Sequence, residues 1–241
     1  MDNETTMLTQ EDLKLFQLQL FQPRHGYRYS LDPLLLARFC KEVKIGGSIA
    51  DLGAGCGIIS LVLARINPTA TVLAVENNPD MAALVERNIR HNDLAGMVSV
   101  IAEDVMALRK KCPVSTFDLV VSNPPFRAAG SGRVSPRSGR DSARHETTAV
   151  LGDFMAAAKY LVKPSGRICF IQLPSRLAEF MALAAEMKLS LLRLRMIHSN
   201  AKSAATMFMA ELAKGRRGAP VVEPPLFVRD MSGDYTEELL R

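Results

Sequence analysis

The sequence lacks the features of disulfide-rich, metal-binding and membrane-spanning proteins. It holds only four cysteines, far apart and without a CxxC pair: Cys40, Cys56, Cys112 and Cys169. Such cysteines are typical of reduced thiols in a cytoplasmic protein, so we expect neither disulfides nor a bound metal. No apolar run approaches the length of about 18 residues that a membrane-spanning helix needs. The N-terminus, MDNETTMLTQED, is polar and acidic, unlike a signal peptide. We therefore expect a cytoplasmic protein that has no contact with a membrane.

The composition is that of an ordinary globular chain, with 48% hydrophobic and 23% charged residues among 241, and it shows no internal repeat or low-complexity tract. The net charge of +5 is compatible with a polyanionic partner but does not require one. The length suits one large domain with a small appendage. We predict that residues 1–30 form a strand and turn extension packed on a main domain of residues 31–241. The sequence leaves the oligomeric state open between a monomer and a weak dimer.

Apolar runs that read as strands alternate with amphipathic segments that read as helices. Within LKLFQLQLFQ, apolar and glutamine residues alternate with the period of a strand. Asp32-Pro33 then begins a helix, since Asp caps and Pro fits the first turn. The strands predicted for the main sheet are SIADLG, TVLAVE, VSVIAED, FDLVVS, GRICFIQL, LSLLRLRMIHS and ATMFMAELAKG. The link between the last two is too short for a crossover helix, so they must pair antiparallel. We predict a Rossmann-like α/β fold with a seven-stranded, mostly parallel sheet, an antiparallel C-terminal strand and helices on both faces.

Glycines and acids stand where the first three strands of this sheet end. The first strand ends in DLGAGCG, the second in Glu76, and the third in Glu103-Asp104. Glycines allow a tight turn and a close approach of the backbone to a ligand. In such sheets ligands bind at the carboxyl ends of the strands. An acid after the second strand is placed to bind a ribose diol, so this edge is the predicted cofactor site.

The spacing G-x-G-x-G after an acid differs from the G-x-G-x-x-G of NAD enzymes. It resembles the first motif of the class I S-adenosylmethionine-dependent methyltransferases. The resemblance implies S-adenosylmethionine as cofactor, S-adenosylhomocysteine as product, and no metal. It places the methionine part above the glycine turn, the ribose hydroxyls on the acid after the second strand and the adenine amine at the acid after the third. The cofactor-binding residues implied are Asp51, Gly53, Gly55, Gly57, Glu76, Asn77, Asp104, Val105 and Asn123.

SNPPF closes the fourth strand, FDLVVS. Asn123-Pro124-Pro125-Phe126 resembles the (D/N/S)-P-P-(Y/F/W) motif of enzymes that methylate amine nitrogens conjugated to a π system. The Asn123 side-chain oxygen and the Pro124 carbonyl can each accept one N–H of such an amine, a fixed electrostatic arrangement. Pro-Pro stiffness holds the carbonyl in place, and Phe126 offers a face on which a base can stack. These four residues are the predicted catalytic residues.

The loop that follows is rich in arginine, glycine and serine. Its basic residues are Arg127, Arg133, Arg137, Arg140, Arg144 and His145. Arginines beside an active site can pair with the phosphates of RNA, although a solvated loop without a partner is the simpler alternative. We predict these residues, with Lys202 before the last strand, as the RNA-binding set.

Several segments, in order, resemble the bacterial tRNA (adenine-N6)-methyltransferases, which modify the adenine beside the anticodon of a valine tRNA. They are GYRYSLDPLLLARFC, DLGAGCGIISLVLA, NPPF, SARHE and AELAKG. The resemblance covers about Leu13 to Tyr235, with Phe126 where tyrosine is more usual. It implies tRNA as partner, adenine N6 as acceptor, and Tyr29 and Asp32 near the cofactor. The alternatives for these two are a packing aromatic and a helix cap.

Other functions are compatible with parts of this pattern. The same motif serves methylation of glutamine N5 in a protein, or of another nucleobase in rRNA or DNA. A nucleic-acid-binding module with an inactive methyltransferase fold is a non-enzymatic alternative, although the intact motifs argue against it. An NAD-dependent dehydrogenase is disfavoured by the glycine spacing.

Overall fold

The computed structural model describes residues 8–25, 30–41, 47–126, 149–215 and 218–240. Tyr29 and the basic residues predicted between positions 127 and 145 lie outside these residues. The helices are α1 (Asp32–Lys41), α2 (Ile58–Ile66), α3 (Pro79–His91), α4 (Leu151–Leu161), α5 (Leu177–Glu186) and the short α6 (Glu237–Leu240). The strands are β1 (Leu8–Leu13), β2 (Leu18–Pro23), β3 (Ser48–Leu52), β4 (Thr71–Glu76), β5 (Val98–Ala102), β6 (Phe117–Ser122), β7 (Val162–Gln172), β8 (Leu189–His198), β9 (Ala205–Lys214), β10 (Val221–Val222) and β11 (Leu226–Phe227).

The large sheet confirms the predicted mostly parallel α/β fold. Its seven long strands follow the order β8-β9-β7-β6-β3-β4-β5, and β9 is antiparallel to both of its neighbours. The strands β3, β4, β5 and β6 are parallel, so their carboxyl ends share one edge. Two-residue strands β10 and β11 extend the sheet by pairing with β8. These last two strands were not predicted, because so short a segment has no period of its own.

Helices cover both faces of the sheet, and each face has its own apolar core. One core joins α1, α2 and α3 to the sheet, with Leu36, Leu61 and Val85 completely buried. The other lies under α4 and α5, with Phe170, Phe180 and Phe208 at its centre. Adjacent rings of these phenylalanines meet edge to face at 5.4–5.8 Å. The near-continuous apolar runs of the central strands follow from burial on both sides.

Strands β1 and β2 form a separate two-stranded antiparallel sheet that contacts α3. The side-chain amides of Asn88 and Asn92, one helical turn apart, bind the β2 backbone as a neighbouring strand would. Asn88 accepts from Phe21 N–H and donates to the Phe21 carbonyl, at 2.8 and 2.9 Å. Asn92 does the same for Gln19, at 2.8 and 2.7 Å. Asn88 also donates to the Cys56 carbonyl at 2.9 Å, which connects this small sheet to the glycine turn.

Arginines of β8 and α1 hold the segment that follows β9, through ion pairs and hydrogen bonds with its carboxylates and carbonyls. The Arg193 guanidinium, on β8, bonds Glu211 of β9 and Glu223 of the segment, each at 2.9 Å. It also lies 3.9 Å from the Phe39 ring centroid of α1. Arg38 donates to the carbonyls of Glu238 and Leu239, near the end of the chain. The C-terminal segment is therefore held to β8 and α1 by arginines, in addition to the pairing of β10 and β11 with β8 and the burial of Leu226 and Leu239 in the core.

No helix in the described part of the chain combines the length and apolar character that a membrane crossing requires. The same residues contain no group of three or more His, Cys, Asp or Glu side chains arranged to hold a metal ion.

Candidate active site

A cavity of about 670 Å³ opens at the carboxyl edge of the parallel strands. Residues from the ends of four neighbouring strands, from α3 and from α4 surround it. The predicted residues that line it are Gly53, Gly55, Glu76, Asn77, Asp104, Val105, Asn123, Pro124, Pro125 and Phe126. The remaining lining residues are Val75, Asn78, Met81, Glu103 and Phe154. The tertiary structure thus brings the glycine turn, the strand-end acids and SNPPF to one cavity.

The glycine turn after β3 adopts a backbone that other residues rarely reach. Gly53 and Gly57 have φ of 74° and 86°, in the left-handed region. Gly53 N–H donates to the Val75 carbonyl at 2.9 Å, so the turn is fastened to the end of β4. The first turn of α2 then begins directly after Gly57.

Glu76 is held at the cavity by two backbone N–H groups. Its Oε2 accepts from Gly55 at 2.8 Å, and its Oε1 accepts from Asn78 at 2.9 Å. The residue is only 8% exposed, and burial raises its pKa against the effect of these hydrogen bonds. A carboxylate oxygen has further lone pairs, so Glu76 can accept from a ligand diol without releasing the backbone.

Asp51 lies beneath the glycine turn and not on the cavity surface. It is completely buried, and its Oδ2 accepts from the Ser60 backbone N–H and hydroxyl at 3.1 and 2.7 Å. Its Oδ1 has no hydrogen-bond partner among the described residues. Burial raises the pKa of Asp51 to about 7, although both bonds from Ser60 lower it and Glu76 adds to the rise. Asp51 fixes the start of α2 to the end of β3.

Two residues that cap the helical turns after β4 and β5 shape this side of the cavity. Asn78 caps α3, and its Oδ1 accepts from the backbone N–H groups of Asp80 and Met81 at 2.9 and 3.3 Å. Asp104 caps the 3-10 turn that follows β5 by accepting from Met106 N–H at 2.8 Å. Glu103 N–H donates to the Glu76 carbonyl at 3.0 Å, which aligns the two strand ends.

Asn123 stands on the opposite side of the cavity, at the end of β6. Its Oδ1 is buried and has no hydrogen-bond partner among the described residues. An unpaired buried acceptor is costly and is typical of functional sites. Pro124 beside it is buried, whereas Pro125 is exposed and Phe126 is half-buried against the core. Asn123, with this unpaired oxygen, and the aromatic Phe126 therefore both line the same cavity.

The charge of the cavity is negative. Its lining includes the carboxylates of Glu76, Glu103 and Asp104, and no lysine or arginine of the described chain takes part in it. The Gly55 N–H is already bonded to Glu76. A pyrophosphate would meet carboxylates here and find that backbone donor occupied, whereas a cationic sulfonium is favoured. The residues present therefore fit S-adenosylmethionine better than a dinucleotide.

The sequence of residues 32–202 matches the family model "Methyltransferase small domain". The chain belongs to this family. It is an S-adenosylmethionine-dependent methyltransferase. The tRNA1(Val) (adenine(37)-N6)-methyltransferase of Porphyromonas gingivalis is 31% identical to it over 72% of this chain and 69% of the relative. The enzyme of the same name from Shewanella loihica is 26% identical over 89% of this chain and 90% of the relative.

Solved structures support the fold of the methyltransferase. A predicted O-methyltransferase from Agrobacterium tumefaciens has a TM-score of 0.69 at 23% identity, covering 86% of this chain and 93% of that one. An S-adenosylmethionine-dependent methyltransferase from Aquifex aeolicus has a TM-score of 0.53 at 15% identity, covering 75% of this chain and 88% of that one.

Not every predicted site residue lines the cavity of the methyltransferase. Asp51 lies beneath the glycine turn, and Gly57, the last residue of that turn before α2, is not among the lining residues. Asp32 is the first residue of α1, and its carboxylate accepts from the Ser30 hydroxyl at 2.6 Å. Lys202 lies in the turn between β8 and β9, where its N–H donates to Asn200 Oδ1 at 2.9 Å. Roles for Asp32 and Lys202 in ligand binding stay predictions.

Asn78, Met81 and Phe154 line the cavity but were not predicted from the sequence, for two different reasons. Asn78 could have been found, because Asn-Pro-Asp is a recognisable helix start. Met81 and Phe154 carry no local signal, since their position depends on how α3 and α4 pack on the sheet.

Proposed function

We propose that the protein transfers the methyl group of S-adenosylmethionine to the exocyclic N6 of an adenine in tRNA. The observation that carries the proposal is the buried Oδ1 of Asn123, a cavity residue, which has no hydrogen-bond partner within the residues that the structure describes. An acceptor without a partner is what a target amine, a donor of two N–H groups, requires.

The chemistry follows from the side of the cavity on which each residue stands. When bound, S-adenosylmethionine supplies an activated methyl group on a sulfonium. Asn123 Oδ1 and the Pro124 carbonyl accept the two amine N–H groups and orient the nitrogen lone pair towards that methyl. Phe126 supports the plane of the base by stacking. Positioning provides much of the rate, and the alkylated nitrogen is acidic enough to lose its proton to water.

The acceptor proposed rests on the relatives and on the charge pattern of the sequence. The relatives from Porphyromonas gingivalis, Shewanella loihica and Cronobacter sakazakii are all named tRNA1(Val) (adenine(37)-N6)-methyltransferase. Positions 127–146 contain five arginines and one histidine against one aspartate and one glutamate. That excess of positive charge after SNPPF favours a polyanionic substrate over a protein glutamine.

The experiment that tests the proposal identifies the methylated unit. The protein is incubated with S-adenosylmethionine that carries a labelled methyl group, together with tRNA, rRNA, DNA or protein, and the products are digested and separated. We expect labelled N6-methyladenosine from tRNA, formed about 10²–10³-fold more slowly by the Asn123→Ala variant. Label in N5-methylglutamine, or only in rRNA or DNA, would show that the acceptor is not the adenine in tRNA that we propose. The absence of label from every pool would favour an inactive nucleic-acid-binding module.

A further inference from the structure

Phe154 is the residue of α4 that takes part in the cavity wall. It lies in the first turn of α4, is 2% exposed, and belongs to the apolar core under α4 and α5. It also lines the cavity. A Cβ placed on Gly53 would lie 3.1 Å from Phe154 Cε1 and 3.6 Å from Cζ. The ring thus packs against the glycine turn, and a side chain at position 53 would require it to shift by a few tenths of an ångström.

The strand order tells which part of the cofactor Phe154 would meet. The central strands run β6-β3-β4-β5, so Gly53 at the end of β3 lies between Asn123 of β6 and Glu76 of β4. The methyl group must point to the amine at Asn123, and the acids Glu76 and Asp104 suit the polar groups of the nucleoside. Gly53, and the ring packed on it, therefore lie beside the end of the cofactor that carries the sulfur and the methionine chain.

We propose that Phe154 is a positioning residue for this end of the cofactor. Its ring forms a rigid wall against the glycine turn, and this wall sets how far the sulfur stands from Asn123. Gly53 and Phe154 are a size-matched pair, because the ring occupies the space that a side chain at position 53 would need. The inference rests on the proposed use of S-adenosylmethionine and adds a residue that holds it.

The first test compares two phenylalanines of the same core. Phe180 is completely buried, packs on Phe170 and Phe208, and does not line the cavity. Phe154→Leu and Phe180→Leu are measured for thermal stability and, by calorimetry, for affinity towards S-adenosylhomocysteine and adenosine. We expect both to lower the melting temperature, because each removes buried ring contacts. Only Phe154→Leu should weaken S-adenosylhomocysteine binding, by roughly tenfold, with adenosine binding unchanged because adenosine lacks the methionine chain.

The second test uses two glycines with nearly the same backbone. Gly53 and Gly57 have φ of 74° and 86°, so alanine is strained at both. A Cβ at Gly57 would lie 3.0 Å from Val85 Cγ1 rather than near Phe154. Phe154→Leu should restore part of the cofactor affinity lost in Gly53→Ala and none of that lost in Gly57→Ala. Val85→Ala should show the reverse pattern.

The outcomes separate this inference from the proposed function. A wild-type protein that binds neither S-adenosylmethionine nor S-adenosylhomocysteine would overturn both. If the wild type binds and Phe154→Leu behaves like Phe180→Leu, only the positioning role is wrong. If Phe154→Leu does not fold, Phe154→Met, which retains more of the side-chain volume, is measured in the same way. An unchanged affinity in that variant, together with no specific rescue of Gly53→Ala, would equally overturn the role.

Discussion

Glu76 Oε2 accepts a hydrogen bond of 2.8 Å from the backbone N–H of Gly55, so the last residue of β4 holds the glycine turn after β3. The other carboxylate oxygen binds Asn78 N–H at the start of α3. One side chain therefore ties together the two loops that form the floor of the cavity. The geometry of the cavity floor is therefore set before any ligand binds, which lowers the entropic cost of binding.

Glu76→Gln should weaken cofactor binding and reduce stability. The amide has one acceptor oxygen, so one of the two backbone N–H groups at Gly55 and Asn78 loses its partner. An unsatisfied buried donor costs about 1–3 kcal/mol, which corresponds to roughly a ten- to hundredfold loss of affinity if it is felt on binding. Calorimetry with S-adenosylmethionine and thermal unfolding measure the two effects. Glu86→Gln, on the exposed side of α3, is the control and should leave both unchanged. Equal behaviour of the two variants would refute the role of Glu76.

Asn123→Ala should separate binding from turnover. Asn123 lines the cavity, and its Oδ1 has no hydrogen-bond partner in the described part of the chain, so its loss breaks no hydrogen bond of this atom there. We expect cofactor affinity close to that of the wild type and methyl transfer slower by about 10²–10³-fold, the effect of deleting one preorganised polar group. Single-turnover rates with labelled cofactor measure this. Turnover at the wild-type rate would show that the amine is oriented by other groups.

Asp51 should make stability depend on pH in the direction opposite to an ordinary ion-paired acid. Burial raises its pKa from 3.8 to about 7 in the folded protein. Between these values the folded state binds the proton more tightly than the unfolded chain, so the stabilising contribution is complete below the lower value and is lost as pH rises through the upper one. Asp51→Asn has no such proton and should show a shallower fall in the free energy of unfolding over this range.

Urea unfolding across this pH range tests whether the pH dependence of stability comes from Asp51. The Asp118→Asn variant is the comparison. Burial opposes the shift of Asp118, but hydrogen bonds from Lys163 and Ser48 lower its pKa. Its stabilising contribution is therefore present above the ordinary aspartate pKa and is lost only as pH falls below it. Asp118→Asn should leave the slope of the wild type between 3.8 and about 7 unchanged. Identical slopes for wild type and Asp51→Asn would contradict the assignment to Asp51.

Arg193→Met should destabilise the protein strongly. Its guanidinium is paired with Glu211 and Glu223 at 2.9 Å, and only 12% of its side chain is exposed. Removing one partner of a buried ion pair costs about 3–5 kcal/mol, because the remaining charge is left uncompensated. The free energy of unfolding in urea measures it. Arg90→Met removes an exposed pair with Glu86 on α3 and should cost less than about 0.5 kcal/mol. Similar losses for both variants would mean that the buried network does not hold the C-terminal segment.

The elements predicted well are those with a local pattern. The seven long strands of the large sheet follow from their apolar runs, and α1 follows from Asp32-Pro33 at its start. The glycine turn predicts a tight turn of the backbone, and SNPPF predicts the end of a strand. Glycine and proline impose these conformations locally, without help from the rest of the chain. Strand-end acids such as Glu76 follow from the rule that ligands bind at the carboxyl edge.

The elements missed depend on partners far along the chain. The LTQEDL segment of β1 has little apolar character, and it becomes a strand through its pairing with β2. The β2 backbone is in turn bound by Asn88 of α3 and by Asn92, which caps that helix. The short strands β10 and β11 exist because β8 offers a free edge and Arg193 binds Glu223. The ring of Phe154 reaches Gly53 only because α4 packs across the sheet.

The sequence by itself determined the fold class, the sharp turns and the type of chemistry, because each depends on residues that are neighbours in the chain. Only the tertiary structure decided which of those residues share a cavity, that Asp51 lies beneath it, and that Phe154 completes its wall. Parallel strands bring residues from distant positions to one edge, and the packing of helices on the sheet then sets which side chains face the space between them.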